Sequence, residues 1–189
     1  MATTVVLGHD TSGTTAARPT NVEPGFVYFD TDVGQSLTWD GDAWIGTGGG
    51  IVAQEVTFTE TTGAGTYTGS VSVPAGATLI DVVIHGTAVW NTATSATMKV
   101  GDVADDDGIF TGIDLKATDL LAAEGLSVDQ AGGKAGADIA NSQWNRRYLA
   151  TARVISGIVT TVGATGTLGR TRMTVIYNLP STPIAATKA

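Results

Sequence analysis

The chain has 189 residues, 42% of them apolar, a formal net charge of −8, ten lysines and arginines together, and no cysteine. That is enough apolar sequence to bury a core in one large or two small domains. The acidic balance and the lack of a basic stripe disfavour a duplex-binding surface and electrostatic adhesion to an anionic membrane, and the missing thiols exclude disulfides and thiolate metal sites.

The opening residues, Met-Ala-Thr-Thr-Val-Val-Leu-Gly-His-Asp, lack the basic-then-apolar order of a secretory signal, and no apolar run reaches membrane-spanning length. The expectation is a product folded in the cytoplasm. Residues 1–24 form an extended N-terminal arm in this reading, because Gly, Thr, Pro19 and Pro24 oppose regular structure. Only Val5, Val6 and Leu7 suit a short strand. Two readings of the arm stay open: a disordered tail, or a segment that adds Val5-Val6-Leu7 to a partner's sheet edge.

Residues 25–46 predict a small aromatic β-meander. Phe26 and Tyr28 share one strand face, with Val27 and Phe29 on the other. Residues 30–34 turn the chain, Leu37 and Trp39 resume the alternation, and Asp40-Gly41 predicts a two-residue hairpin turn that returns through Trp44. Such a unit is too small to bury five aromatics by itself, so it is expected to pack on something else. Packing on the following domain or on a symmetry mate is one use for Tyr28, Trp39 and Trp44. Stacking on a sugar is another. Arg18 is expected to pair with an acidic group or a carbonyl at such a contact.

Residues 47–50 make a Gly-rich linker, across which composition shifts from aromatic to Thr/Val/Ala-rich. Beyond it, 51–180 reads as successive strands. Val52, Val56 and Phe58 alternate with polar neighbours, and 67–73 follows. The strongest strand is 78–90, with Ile80, Val82, Ile84, Ala88 and Trp90 on one face and a bend at Gly86. Ala96, Met98 and Val100 alternate next. Then come an acidic loop at 102–108, short strands around Ile109-Phe110 and 113–115, and one candidate helix at 118–124. Residues 127–143 read as a long surface loop, and two long strands, 148–162 and 170–178, precede a tail at 181–189. Many short strands between turns predict an all-β fold: a jelly-roll-like antiparallel β-sandwich preceded by the arm and the meander.

No catalytic constellation emerges. There is no nucleophile elbow and no phosphate loop. Asp30/Asp32 and Asp40/Asp42 sit at turns, where Asp serves the backbone. His9 and His85 are the only histidines, fewer than the three or four spaced ligands of a zinc site, so no zinc site is expected. The run Asp105-Asp106-Asp107-Gly108 approaches a calcium loop, but the first ligand position falls on Val103, so the expectation is a solvated acidic turn, with no metal and no cofactor. Trp90, Trp144, Arg146 and Arg147 are further interface candidates.

Gly13, Thr14, Thr15, Arg18, Pro19, Gly25, Tyr28, Phe29, Asp30, Thr31, Gly34, Trp39, Gly41 and Trp44, at their spacing, resemble a segment recurrent in tailed-phage virion proteins, notably head-fibre and tail-fibre proteins. More loosely, 73–84 with Met98-Lys99-Val100-Gly101-Asp102 is similar to β-sandwich virion proteins. The resemblance implies a non-enzymatic capsid decoration (cement) or head-fibre protein on the outer surface of the head. Its partners would be the major capsid protein and itself, as a homotrimer, without nucleic acid or membrane. The alternative is a tail-fibre or tail-tip receptor-binding module, whose partner would be a glycan held on Tyr28, Trp39 and Trp44.

Overall fold

β-Branched residues at alternating positions, punctuated by Gly and Asp, produce a strand-rich, all-β fold in the computed structural model of the chain. It describes residues 11–32, 35–42, 44–46, 50–118, 125–142 and 144–179. Eleven strands, several 3₁₀ turns and no α-helix occur among these residues, and the strands form three sheets. The chain divides into two compact units, 1–50 with 179–189, and 51–178.

The first unit is a four-stranded sheet ordered β1 (Ser12–Gly13), β2 (Val27–Asp30), β3 (Gln35–Trp39), β4 (Trp44–Gly46). The stretch predicted to be an extended arm contributes to it from residue 11 onward. Phe29 N–H donates to the Thr11 carbonyl at 2.7 Å and Thr31 N–H to that of Gly13 at 2.8 Å, which makes β1 a parallel partner of β2. Glycine is required here, since a Cβ at Gly13 would lie 2.5 Å from the Tyr28 hydroxyl. A 3₁₀ turn, Thr15–Ala17, then redirects the chain. Val5, Val6 and Leu7 lie outside the described residues.

The hairpin differs from its predicted form. Trp39 pairs directly with Trp44, so the connection has four residues rather than two. Asp42 N–H donates to Asp40 Oδ1 at 2.8 Å, and Gly41 takes φ +111°. The Asp side chain imposes its own turn and widens the loop.

The second unit packs two antiparallel sheets face to face, open rather than closed into a barrel. One is ordered β5 (Ile51–Thr59), β11 (Arg170–Asn178), β7 (Thr78–Ala88). The other is ordered β6 (Thr66–Val73), β10 (Arg153–Val162), β8 (Ser95–Gly101), β9 (Phe110–Asp114). The chain crosses between sheets at β5–β6, β6–β7, β7–β8 and β10–β11, a jelly-roll-like order. Among the described residues between β9 and β10, single bridges tie the chain back to the first sheet, Leu126 to Ile84 and Tyr148 to Thr78.

Phe58, Val71, Leu79, Val82, Ile84, Met98, Val100, Ile155, Val159, Met173 and Val175 fill the space between the sheets. Gly69 and Gly157 let Phe58 lie flat there: a Cβ at Gly157 would meet Met98 at 2.6 Å and Phe58 at 2.8 Å. The alternation in β7 shifts phase once. Ile176 pairs with Asp81 but Tyr177 pairs with Leu79, so Ile80 is bulged out and Leu79 takes the buried place predicted for Ile80. A second irregularity lies between the pairs at Gly86 and Ala88, where the bend was predicted.

Residues 127–143 are not a plain surface loop. Among the described ones, 3₁₀ turns at Val128–Gln130, Gly132–Lys134 and Ala137–Ser142 bury Val128, Ala131 and Ile139. Tyr148 forms a bridge but not a strand, and β10 starts at Arg153. The reason lies in Arg153 itself, whose guanidinium donates to the carbonyls of Arg146 (2.6 Å) and Arg147 (2.9 Å) and holds the preceding residues in a turn. The helix predicted at 118–124 falls, from residue 119, outside the described residues.

Candidate functional site

In the first unit, the residues that carry the resemblance build one framework. Asp30 is fully buried. Its carboxylate accepts from Arg18 Nε at 2.6 Å, from the Thr15 hydroxyl at 2.9 Å and from Asp32 N–H at 2.9 Å. Thr15 N–H in turn donates to Asp32 Oδ2 at 2.9 Å. Arg18 therefore pairs inside its own unit. Burying a carboxylate is tolerable only with such charge-assisted partners.

Tyr28 is also fully buried, and its hydroxyl donates to the Thr14 carbonyl at 3.0 Å. Trp44 is the hub of the aromatic cluster, with ring centroids 5.6 Å from Trp39, 5.8 Å from Tyr28 and 6.2 Å from Phe26. The aromatics thus pack largely on one another and on residues 13–17, which a bare meander could not have provided. Burial takes Tyr28 out of any sugar platform, while Trp39 and Trp44 are partly buried. On the opposite face of β2, Val27 (51%) and Phe29 (44%) face solvent.

The second unit holds the other candidates. Trp90 is a core residue, 1% exposed, and not a surface anchor. Its indole N–H donates to the Thr171 hydroxyl at 2.8 Å, and its ring meets Tyr67 edge-on at 5.3 Å. Arg146 and Arg147 point to different partners. Arg146, at φ +53°, donates to the buried Asp102 at 2.9 Å. The guanidinium of Arg147 donates to the Leu79 carbonyl and lies 5.7 Å from the Trp144 ring centre.

Trp144 and Arg147 line a groove of about 820 Å³ with Ile80, Val128, Asp129 and Ile139. It occupies the interval between the two bridges on β7.

The acidic loop uses its carboxylates internally. Asp102 accepts the N–H groups of Ala104 (2.9 Å) and Asp105 (3.3 Å) as well as Arg146. Asp106 pairs with Lys99, and Asp107 accepts the Thr111 hydroxyl at 3.1 Å. Asp105, Asp106 and Asp107 bring one oxygen each within 4.8 Å of one another. Asp138 lies over this loop. Burial holds its pKa above the ordinary aspartate value, with the Asp102 and Asp105 charges pushing the same way and Arg146 opposing them. Burial lowers the pKa of Arg153 beside it.

One polar residue gave no sequence signal. Glu60 is 3% exposed and accepts three backbone N–H groups, from Asn91 (3.0 Å), Thr92 (2.9 Å) and Gly169 (2.8 Å). Its partners lie 31 to 109 residues away in the chain. No local pattern encodes such a contact.

No family model matches the sequence, and no curated protein does. Among solved structures the chain is similar to one described as the cyanophage Pam1 capsid asymmetric unit, with 21% identity, 71% of this chain and 89% of that chain covered, and a TM-score of 0.45. It is also similar to one described as the acidic stable capsid structure of Helicobacter pylori bacteriophage KHP30, with 16% identity, 69% and 95% covered, and a TM-score of 0.40. At these values the likeness fixes neither a family nor a function.

Proposed function

We propose that this protein is a structural component of a tailed-phage particle: a capsid decoration protein, of the cement or head-fibre kind, that binds the outer head surface and ties neighbouring capsid subunits together. One observation carries the reading. The residues that resemble the virion segment are the same ones that hold the first unit together: Gly13 against Tyr28, Thr15 and Arg18 on Asp30, Trp39 on Trp44. The segment lies within one compact unit, 1–50 with 179–189, and the sandwich, 51–178, is another. That is the organisation expected of a reusable attachment unit.

The mechanism is multivalency. A homotrimer presents several attachment units to a lattice of major capsid protein, so avidity exceeds each single affinity by orders of magnitude, on the order of 10² or more. Val27 and Phe29 supply an apolar face for such contacts. The glycan-binding alternative loses one member of its aromatic platform, since Tyr28 is enclosed.

The test is co-sedimentation of the purified protein with phage heads that lack it. Saturable binding that falls in the Val27→Ser/Phe29→Ser variant supports the reading. Wild-type protein that ignores such heads, or binds them only as a monomer, refutes it.

A further inference from the structure

The two sides of the sandwich are unequal. On one side the outer edge of β7 is bridged by Leu126 and Tyr148, and that of β9 by Ala135, so the long excursion between β9 and β10 covers both edges. On the other side, among the described residues, β5 has only β11 as a strand neighbour, and β6 has only β10. These two edge strands run nine and eight residues with no break in register and no proline.

Edges of this length are ordinarily blunted by a lysine, a proline, a bulge or a covering element. None of these is found among the described residues on this side. The charge pattern is equally uneven. Across 51–73 the only charged side chains are Glu55 and Glu60 in a chain with 28 charged residues, ten basic and eighteen acidic. Glu60 is buried, while Glu55 lies 3.5 Å from Arg172 and accepts the Thr174 hydroxyl. Thr57, Thr68, Ser70 and Ser72 are exposed, small and neutral, and Ile51 is 71% exposed.

We propose that the β5–β6 side is the self-association surface of this protein, where a second copy of the chain pairs its own strand edge. The argument for a copy is electrostatic. A net charge of −8 makes copies repel one another over most of their surface, so contact is least opposed where charge is sparsest, here Glu55 alone and beside Arg172. The row of backbone donors and acceptors on an edge strand is complementary to another such row and supplies the affinity. Eight or nine paired residues give an interface strip of roughly 26–30 Å at ~3.3 Å per residue. This inference rests on the self-assembling part of the functional reading above and names the surface it uses.

The experiment measures the mass of the full chain in solution by sedimentation equilibrium, for wild type and for Thr57→Lys/Ser70→Lys. Both substitutions are at exposed positions, and far-UV circular dichroism checks that the fold persists. The expected result is an oligomer for wild type and a dissociation constant at least about tenfold weaker for the variant, since edge lysines oppose strand pairing. A monomeric wild type, or a variant with an unchanged constant, overturns the proposal. Hydrogen exchange gives a reading that needs no variant: amides of β5 and β6 gain protection as concentration rises, while those of β7 do not. Exchange there that is independent of concentration also overturns it. An oligomer that binds phage heads yet is indifferent to the lysines refutes this surface and leaves the decoration reading standing. A wild type that ignores heads while the variant falls apart does the reverse.

Discussion

Glu60 is the sharpest place to test how the sandwich is held together. Its carboxylate closes the end of β5 onto two loops, 89–94 and 163–169, through three backbone N–H groups at 2.8–3.0 Å. The 163–169 loop packs directly on the carboxylate, since a Cβ at Gly166 would lie 1.9 Å from Glu60 Oε1. Glu60→Ala strands three donors. Each costs about 1–3 kcal/mol when buried without a partner, which sets a ceiling near 9 kcal/mol. Loop relaxation and entering water reduce this to about 3–5 kcal/mol.

Glu60→Gln retains one carbonyl oxygen. Placed where Oε2 sits, it serves Asn91 and Gly169, and the new amide faces the Thr92 N–H, at a cost of about 1–3 kcal/mol. Urea unfolding followed by circular dichroism and tryptophan fluorescence reads both changes. In thermal melts the alanine variant should lose about 6–20 °C, at roughly 2–4 °C per kcal/mol for a chain of this size. Amide exchange at Asn91, Thr92 and Gly169 should accelerate in the same variant. A Glu60→Ala change of less than about 1 kcal/mol would refute the reasoning, and so would a Gln variant as damaged as the Ala variant, since charge rather than bond geometry would then decide.

Three further outcomes are expected. Arg18→Ala removes the ion pair from buried Asp30 and should destabilise the first unit by about 3 kcal/mol, the low end for a broken buried pair because Arg18 keeps 25% exposure; weakened near-ultraviolet dichroism of the Trp39–Trp44 cluster is the readout. Asp138 has a raised pKa, caused first by burial, so its contribution to stability is fully present below the ordinary aspartate value and is lost as pH rises through the raised one. Asp138→Asn should remove that dependence and match or exceed wild-type stability at neutral pH, as urea midpoints measured from acid to neutral pH will show. Gly157→Ala forces a methyl group against Met98, Phe58 and Met173 and should cost about 1–3 kcal/mol by overpacking, read by the same urea midpoints.

Much of the sandwich was legible in the sequence because strand alternation is a local signal. Ala96, Met98 and Val100 alternate along one strand, as Met173, Val175 and Tyr177 do along another, and each set is buried. β7 shows the limit of that signal. A single bulge moved Leu79 inward in place of Ile80, and bulges are set by the partner strand rather than by the strand itself. The 127–143 stretch misled for a related reason. Small residues look like a loop until Val128, Ala131 and Ile139 are seen to be buried.

By itself the sequence determined the all-β class, the strand periodicity and the acidic, cysteine-free character, because composition and spacing of neighbours suffice for these. The tertiary structure alone decided which polar groups are enclosed and by what: Asp30 by Arg18 and Thr15, Asp102 by Arg146, Glu60 by three distant amides. It also decided which strand edges are covered and which, among the described residues, are not. Those facts depend on contacts between residues far apart in the chain, and a carboxylate or an edge strand looks the same in a sequence whether or not something folds back over it.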